Sequence, residues 1–302
     1  MLSASVVVSC YNQEDYIEEC LDSILGQQVD FEFDIIVSDD CSKDTTQQIL
    51  RDYCRRHPGR IDLILRDENV GAALNYHGVH AAATGDIIFH FDGDDIMEPG
   101  KLQAQYDIFS NHDDVNIVFH KATYFSDDRS YCSETLYPGT TNEAFSFFSL
   151  SQLARWGTTA VHSSYAYRKS SRRAKIEREF MEWFFAIDSL IPAGRGVYIN
   201  KSLVMYRCNT SGASYLSSRA GKYKSYNLYF GDIYHYFEQC PELRSDLYSN
   251  FLVTFLAMLK SIRMTNFVAV KFLFKNVRFF RIRSFLDAVS VRKLVGPAIR
   301  VR

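Results

Sequence analysis

Five short apolar runs within the first 120 residues, spaced by stretches of helical periodicity, constrain the fold of this chain more than any other feature. Ser5-Val6-Val7-Val8-Ser9, Phe33-Asp34-Ile35-Ile36-Val37, Ile61-Asp62-Leu63-Ile64-Leu65, Asp86-Ile87-Ile88-Phe89-His90-Phe91 and Val115 to His120 read as strands. Between them, Ile17, Leu21, Ile24 and Leu25 recur at helical spacing. Thr45 to Arg56 reads as a helix stopped by Pro58-Gly59, and Gly71 to Ala83 as an Ala-rich helix. Pro99 stands where the first turn of another begins. Strand alternating with helix predicts an α/β fold with a mostly parallel, doubly wound sheet flanked by helices. Such a sheet binds its ligands beyond the carboxyl ends of its strands.

Three polar clusters fall at those ends: Ser9-Cys10-Tyr11-Asn12, Asp39-Asp40 and Asp92-Gly93-Asp94-Asp95. The last places three carboxylates within four residues, where they repel one another and where burial would raise the cost further. A solvated acidic turn is the plain explanation of such a run. A cation held by hard oxygen donors, Mg²⁺ or Mn²⁺, is the functional one. Neither G-x-G-x-x-G nor G-x-x-x-x-G-K-[ST] occurs, so no glycine cradle awaits a phosphate. Phosphates bound here would need a metal to neutralise them, which points to a diphosphate leaving group and away from redox chemistry.

The seven cysteines show no C-x-x-C pair, so the expectation is free thiols rather than a disulfide framework or structural zinc. Val6-Val7-Val8 is too short for a signal-peptide core, and no apolar run is long enough to span a bilayer; the chain reads as cytoplasmic. Charge is unevenly spread. From Lys260 onward, eleven Lys/Arg face the single acid Asp287, whereas the rest of the chain is net acidic. Phe267 to Arg283 interleaves large apolar and cationic residues. On one helix this predicts an apolar stripe flanked by base, the pattern of a peripheral contact with the cytoplasmic face of the inner membrane. A helix packed on the body of the protein is the alternative. Nucleic acid is disfavoured, because no recognised module accompanies the charge.

Four ordered motifs resemble the family 2 glycosyltransferases, which have the GT-A fold. They are Ser5 to Asn12 with Asp15-Tyr16-Ile17; Ile35 to Thr45, containing Asp39-Asp40-Cys41-Ser42; Asn69-Val70-Gly71 with Asn75 and Ala83-Thr84-Gly85-Asp86; and Asp92-Gly93-Asp94-Asp95 with Pro99-Gly100-Lys101-Leu102. The likeness covers residues 3–120 closely and extends more weakly to about 215. It implies a catalytic domain over 1–215 followed by a helical, basic region over 216–302. Cys41 stands where the family has glycine or asparagine.

The resemblance implies a metal-dependent inverting glycosyltransferase of surface polysaccharide synthesis. It would use a nucleoside diphosphate sugar, UDP-linked, and a glycan or lipid-linked glycan acceptor. Ser9, Tyr11, Asp39, Asp40, Asn75 and Asp92 would line the donor site. Tyr11 would stack on the base, and Asp40 would accept its ring N–H. Asp94, with Asp92 and Asp95, would hold Mn²⁺ or Mg²⁺. For Tyr11 the plain alternative is packing on the sheet edge, and for Asp39-Asp40 capping of the next helix. The general base falls in Glu177 to Asp188, where Glu182 aligns with a family aspartate; Glu179 and Asp188 are the other candidates. Val197-Tyr198-Ile199 and Met205-Tyr206-Arg207 resemble later family elements. Ser163 to Arg168 reads as a strand flanking the acceptor pocket, with Trp156 and His162 nearby and Trp156 able either to stack on a sugar or to sit in the core. Two other functions remain open from sequence: a nucleotidyltransferase, which Ser9 to Tyr16 disfavours by lacking glycine and base, and a non-catalytic binding protein on a degenerate transferase fold.

Overall fold

A computed structural model describes residues 1–126, 132–138, 143–173, 178–208 and 218–299, with side chains to residue 295. Glu177 and the expected boundary at 215–216 lie outside the described residues. The first half alternates as the periodicity predicts: β1 (Ala4–Cys10), α1 (Ile17–Leu25), β2 (Phe33–Asp39), α2 (Thr46–Arg56), β3 (Asp62–Leu65), α3 (Ala72–Ala82) and β4 (Ile87–Asp92). Then come the two-residue β5 (Ile96–Met97), α4 (Lys101–Asn111), β6 (Val115–Phe125), β7 (Cys132–Glu134), β8 (Phe145–Phe148), α5 (Leu150–Trp156), β9 (Ala166–Arg168), α6 (Trp183–Asp188) and β10 (Arg195–Arg207). Four helices end the chain: α7 (Arg219–Gln239), α8 (Arg244–Ile262), α9 (Phe267–Lys275) and α10 (Ile282–Ile299).

The sheet runs β3-β2-β1-β4-β9-β6-β10-β5, with β7 and β8 pairing off this path. Its first four strands are parallel, as alternation with helices requires. Beyond β4 the sheet is mixed, because β9 inserts antiparallel to both β4 and β6. The expected strand over Ser163 to Arg168 is thus only its last three residues, and His162–Ser164 form a 3₁₀ turn that feeds it.

Side chains alternate across β4. Phe89 and Phe91 face α1 and α4, while Ile88 joins α3, α6 and the C-terminal helices in a second core. That second core draws on Trp183 to Ile187 of α6, on Tyr229 to Phe237 of α7 and on Val291 and Val295 of α10. The C-terminal helices therefore pack against the elements that carry the site. Tyr236 donates its O–H to the Phe184 carbonyl at 2.8 Å, and Asn250 donates to the Ala154 carbonyl at 2.9 Å.

The tail is not one helix. Asn276, buried at the end of α9, folds its Nδ2 back on the Phe272 carbonyl at 3.0 Å, and a 3₁₀ turn over Val277–Phe279 separates α9 from α10. Part of the anticipated stripe lies in the core: Ala269 is buried and Phe272 packs on Phe237 and Phe251. Trp156, weighed above as a sugar platform, is buried, with its indole N–H on Asp287 of α10 at 2.8 Å. It holds the C-terminal helices down.

Lys101 is wholly buried, with its ammonium over the rings of Phe89 and Phe91 and no hydrogen-bond partner among the described residues. Burial pulls its pKa down to about 7. The unfolded chain therefore holds a proton that the folded chain releases between pH about 7 and about 10.4, so stability should rise with pH across that window. Lys101→Met should remove this slope and stabilise the protein at neutral pH by ~2–4 kcal/mol, read from denaturant unfolding at both ends of the window. Unchanged stability at both ends would show that the ammonium is solvated.

Candidate active site

The carboxyl ends of β1, β2 and β4 lie side by side. Ser9 sits opposite Ser38 on one flank and Asp92 on the other, and Cys10 sits opposite Asp39. The Ser9 hydroxyl is buried without a hydrogen-bond partner among the described residues. Tyr11 follows β1 and is exposed. Asn12 adopts a left-handed φ of 52° and locks the loops together. Its N–H donates to Ser42 Oγ and its Oδ1 accepts from the Lys43 N–H, both at 2.8 Å.

The two acids after β2 divide their work. Asp39 accepts from the Ser42 N–H at 2.9 Å, from the Ser42 hydroxyl and from Gln47 Nε2 at 2.7 Å, which shapes its own turn. Asp40 accepts the N–H groups of Val70 and Gly71, one on each oxygen at 2.9 Å, and so draws the 69–71 loop to the site. Each of these oxygens keeps a second lone pair. Asn75 is spent on the scaffold, bonded to Ser38 and Arg66. Cys41 has φ of 60°, the left-handed region in which glycine or asparagine carries less strain.

After β4 the acidic turn closes on itself, the Asp95 N–H reaching the Asp92 carbonyl at 3.2 Å. Arg207, at the end of β10, clamps this turn. Its N–H donates to Asp95 Oδ1 at 2.8 Å, its Nε to the Asp94 carbonyl at 2.7 Å and its Nη2 to Glu19 at 2.7 Å. Asp95 is buried, its Oδ2 has no hydrogen-bond partner among the described residues, and burial together with repulsion from Asp94 and Asp92 pushes its pKa well above the carboxylate range. An orphaned buried carboxylate oxygen beside two further acids fits a hard divalent cation.

Asp92 ends a chain of buried side chains that sequence reading passed over. Its Oδ1 lies 3.1 Å from His90 Nε2; His90 Nδ1 lies 2.9 Å from His80 Nε2; His80 Nδ1 lies 2.6 Å from the Tyr167 hydroxyl. An ionised carboxylate only accepts, so His90 donates to Asp92; a neutral His90 would then accept from His80, and His80 from the Tyr167 hydroxyl. Arg172 covers the Tyr167 ring at 3.3 Å and bonds the Tyr76 hydroxyl. His162 stacks on His90 at 3.7 Å, with its Nδ1 3.8 Å from Asp92 Oδ1. Burial pushes His80 and His162 well below the usual histidine range, which keeps both neutral. Burial opposes the charge on Asp92, yet the hydrogen bond from His90 holds its pKa below the usual range. Ligand atoms of His90, Asp92 and His162 lie within 4.8 Å of one another, a second donor set able to hold a metal ion. One signal was available beforehand: His90 is two residues before Asp92 in a strand and so shares its face.

Glu182 directly precedes α6, half-buried. Burial raises its pKa, its own backbone partly offsets this, and the charge of Asp92 raises it further, so the two carboxyls sense one another. The competing acids are engaged elsewhere. Glu179 is exposed in an ion pair with Lys224 of α7 at 2.7 Å, and Asp188 accepts the Arg173 N–H at 2.8 Å. A surface depression of about 460 Å³, lined by residues such as Asp86, Arg168 and Lys169, lies at the amino end of β4 and holds none of the site acids. Its polar groups serve the fold: Asp86 accepts from Ser3, and Lys169 donates to the Ala83 carbonyl.

A family model described as glycosyl transferase family 2 matches residues 5–174, more than half of the chain. Among curated relatives, the minor teichoic acid biosynthesis protein GgaA of Bacillus subtilis is 32% identical over 118 residues, 38% of this chain and 26% of that protein. Mycobacterial relatives that are 35% identical align over 38% of their own length, so the chain spans well under half of these proteins. Of solved structures, S. aureus TarS 1–349 in complex with UDP-GlcNAc superposes with a TM-score of 0.65 at 17% identity, over 99% of this chain and 92% of that one. The Pyrobaculum calidifontis mannosyltransferase PcManGT, in complex with GDP-Man and Mn²⁺, gives 0.55 at 17% identity, over 98% and 86%. These structural likenesses are of fold, and they agree with the GT-A architecture.

Proposed function

Because the chain belongs to glycosyl transferase family 2, we propose that it moves a sugar from a UDP-linked donor to a hydroxyl of a glycan or lipid-linked glycan in surface polysaccharide synthesis, inverting the anomeric carbon. The observation that carries this reading is the clustering of Asp92, Asp94 and Asp95 at the carboxyl end of β4 with Glu182 near enough for the charge of Asp92 to join burial in raising its pKa. A teichoic acid protein among the relatives and UDP-GlcNAc in a structural neighbour support the polymer and the donor class.

In this reading Tyr11 offers its exposed ring to the base, and Asp40 uses a spare lone pair for the base's ring N–H. Asp94, Asp95 and Asp92 hold Mn²⁺ or Mg²⁺, with Asp95 Oδ2 the donor atom that the fold leaves unpaired. A cation so held would neutralise the diphosphate as it departs. Glu182 takes the proton of the acceptor hydroxyl. The acceptor oxygen then bonds to the anomeric carbon, and the bond from that carbon to the diphosphate oxygen breaks with its electron pair on the diphosphate. Burial serves Glu182 here, since a carboxylate of raised pKa is the stronger base. His90 and Arg207 act one step back, the first aiming the Asp92 carboxylate and the second fixing the turn.

The test is a thermal-shift screen of nucleotide sugars with Mn²⁺ and with EDTA. A ligand at about 100 times its Kd should stabilise the fold by about 2.7 kcal/mol. UDP-sugars should shift the melting temperature with Mn²⁺ and fail to do so in EDTA. No shift with any nucleotide sugar would overturn the donor assignment. A metal-dependent shift without donor hydrolysis would favour a binding protein over an enzyme.

A further inference from the structure

The C-terminal helices turn a second apolar face outward, and among the described residues nothing packs over it. Of the seventeen large apolar residues exposed among the described residues, eleven fall between Leu256 and Leu294, so the exposure is concentrated rather than scattered. On α9 the inward positions are Ala269, Val270, Phe272 and Leu273. Phe267, Lys271 and Phe274 follow one another at helical spacing on the opposite side, with Phe267 79% and Phe274 73% exposed. Val277, Phe280 and Ile282 continue the exposed apolar run through the connecting turn, and Leu286 carries it one turn into α10.

The charges on these segments have one sign. Lys260, Arg263, Lys271, Lys275, Arg278, Arg281, Arg283 and Lys293 are all exposed, and among the described residues none pairs with an acid. The single acid, Asp287, points inward to Arg155 at 3.0 Å and to the Trp156 indole. Exposed aromatic and aliphatic residues interleaved with long cationic stems suit a boundary that is apolar below and anionic above. A soluble polyanion would match the bases but leave the phenylalanines in water.

We propose that the outward face of α9, the 277–281 turn and the start of α10 docks on an anionic lipid surface. Phe267, Phe274 and Ile282 enter the acyl boundary while Lys271, Lys275, Arg278 and Arg281 meet the headgroup phosphates. No helix among the described residues is long and apolar enough to cross a membrane, so the contact is interfacial. It holds the chain beside a lipid-linked acceptor, whichever sugar is moved.

The test uses the full chain without donor, so its outcome does not depend on the transferase reading. It measures co-sedimentation with phosphatidylglycerol–phosphatidylethanolamine vesicles and with phosphatidylcholine vesicles. The chain should bind the anionic vesicles, bind phosphatidylcholine at least about tenfold more weakly, and lose affinity as salt screens the headgroups. Phe267→Glu combined with Phe274→Glu should weaken vesicle binding about tenfold or more, and so should Lys271→Glu combined with Lys275→Glu. The melting temperature should be unchanged in both, since all four side chains face outward. Failure of the parent chain to bind anionic vesicles overturns the proposal. So does binding that survives loss of both phenylalanines, or binding to soluble polyphosphate as tight as to vesicles.

Discussion

Glu182→Gln is expected to lower turnover by ~10²–10⁴-fold, the usual contribution of a general base, with little change in donor affinity. Glutamine keeps the shape and removes the proton acceptor. The same experiment carries a pH signature. A base works in its ionised form, and burial together with the charge of Asp92 raises the pKa of Glu182. Activity of the parent should therefore fall as pH drops through that raised value, and the residual activity of the variant should lose this limb. Because Glu179 and Asp188 are committed to Lys224 and to the Arg173 N–H, Glu179→Gln should stay near parent activity. Equal turnover in Glu182→Gln and the parent would remove Glu182 from the mechanism.

Asp94→Ala should abolish transfer and the Mn²⁺-dependent part of nucleotide binding while the fold survives. One part of the clamp survives the change: Arg207 Nε holds the Asp94 carbonyl, which alanine retains. The charge removed is also one that forces Asp95 away from its ionised form, so stability should stay level or rise. Asp95→Ala makes the contrast. It strips the acceptor from the Arg207 N–H, and leaving that buried donor unpaired should destabilise the protein by ~1–3 kcal/mol. Nucleotide-induced melting shifts with Mn²⁺ and with EDTA separate the two effects. Undiminished Mn²⁺ dependence in Asp94→Ala would take the metal away from this turn.

What could be read from the chain was local. Apolar runs such as Val6 to Val8 and Ile87 to Phe89 disclose strands because burial on both faces demands unbroken hydrophobicity, and acids at their ends disclose the site because a parallel sheet collects its strand termini on one edge. Cys41 was legible as a letter, whereas its left-handed φ of 60° was not.

The tertiary structure decided what depended on distant partners. Glu179, Glu182 and Asp188 look alike as letters, and their environments separate them: one reaches Lys224, one senses Asp92 and one holds residue 173. Trp156 became a core residue because Asp287, 131 positions away, takes its N–H. The basic tail, uniform in sequence, divides into inward and outward faces because α8 and α7 cover one side of it. His80, His90 and Tyr167 form a chain only where β9 enters the sheet antiparallel to β4. Periodicity encodes which face of an element is buried, whereas the partner it meets is set by register and packing between segments far apart in the chain. That information resides in no single stretch of residues.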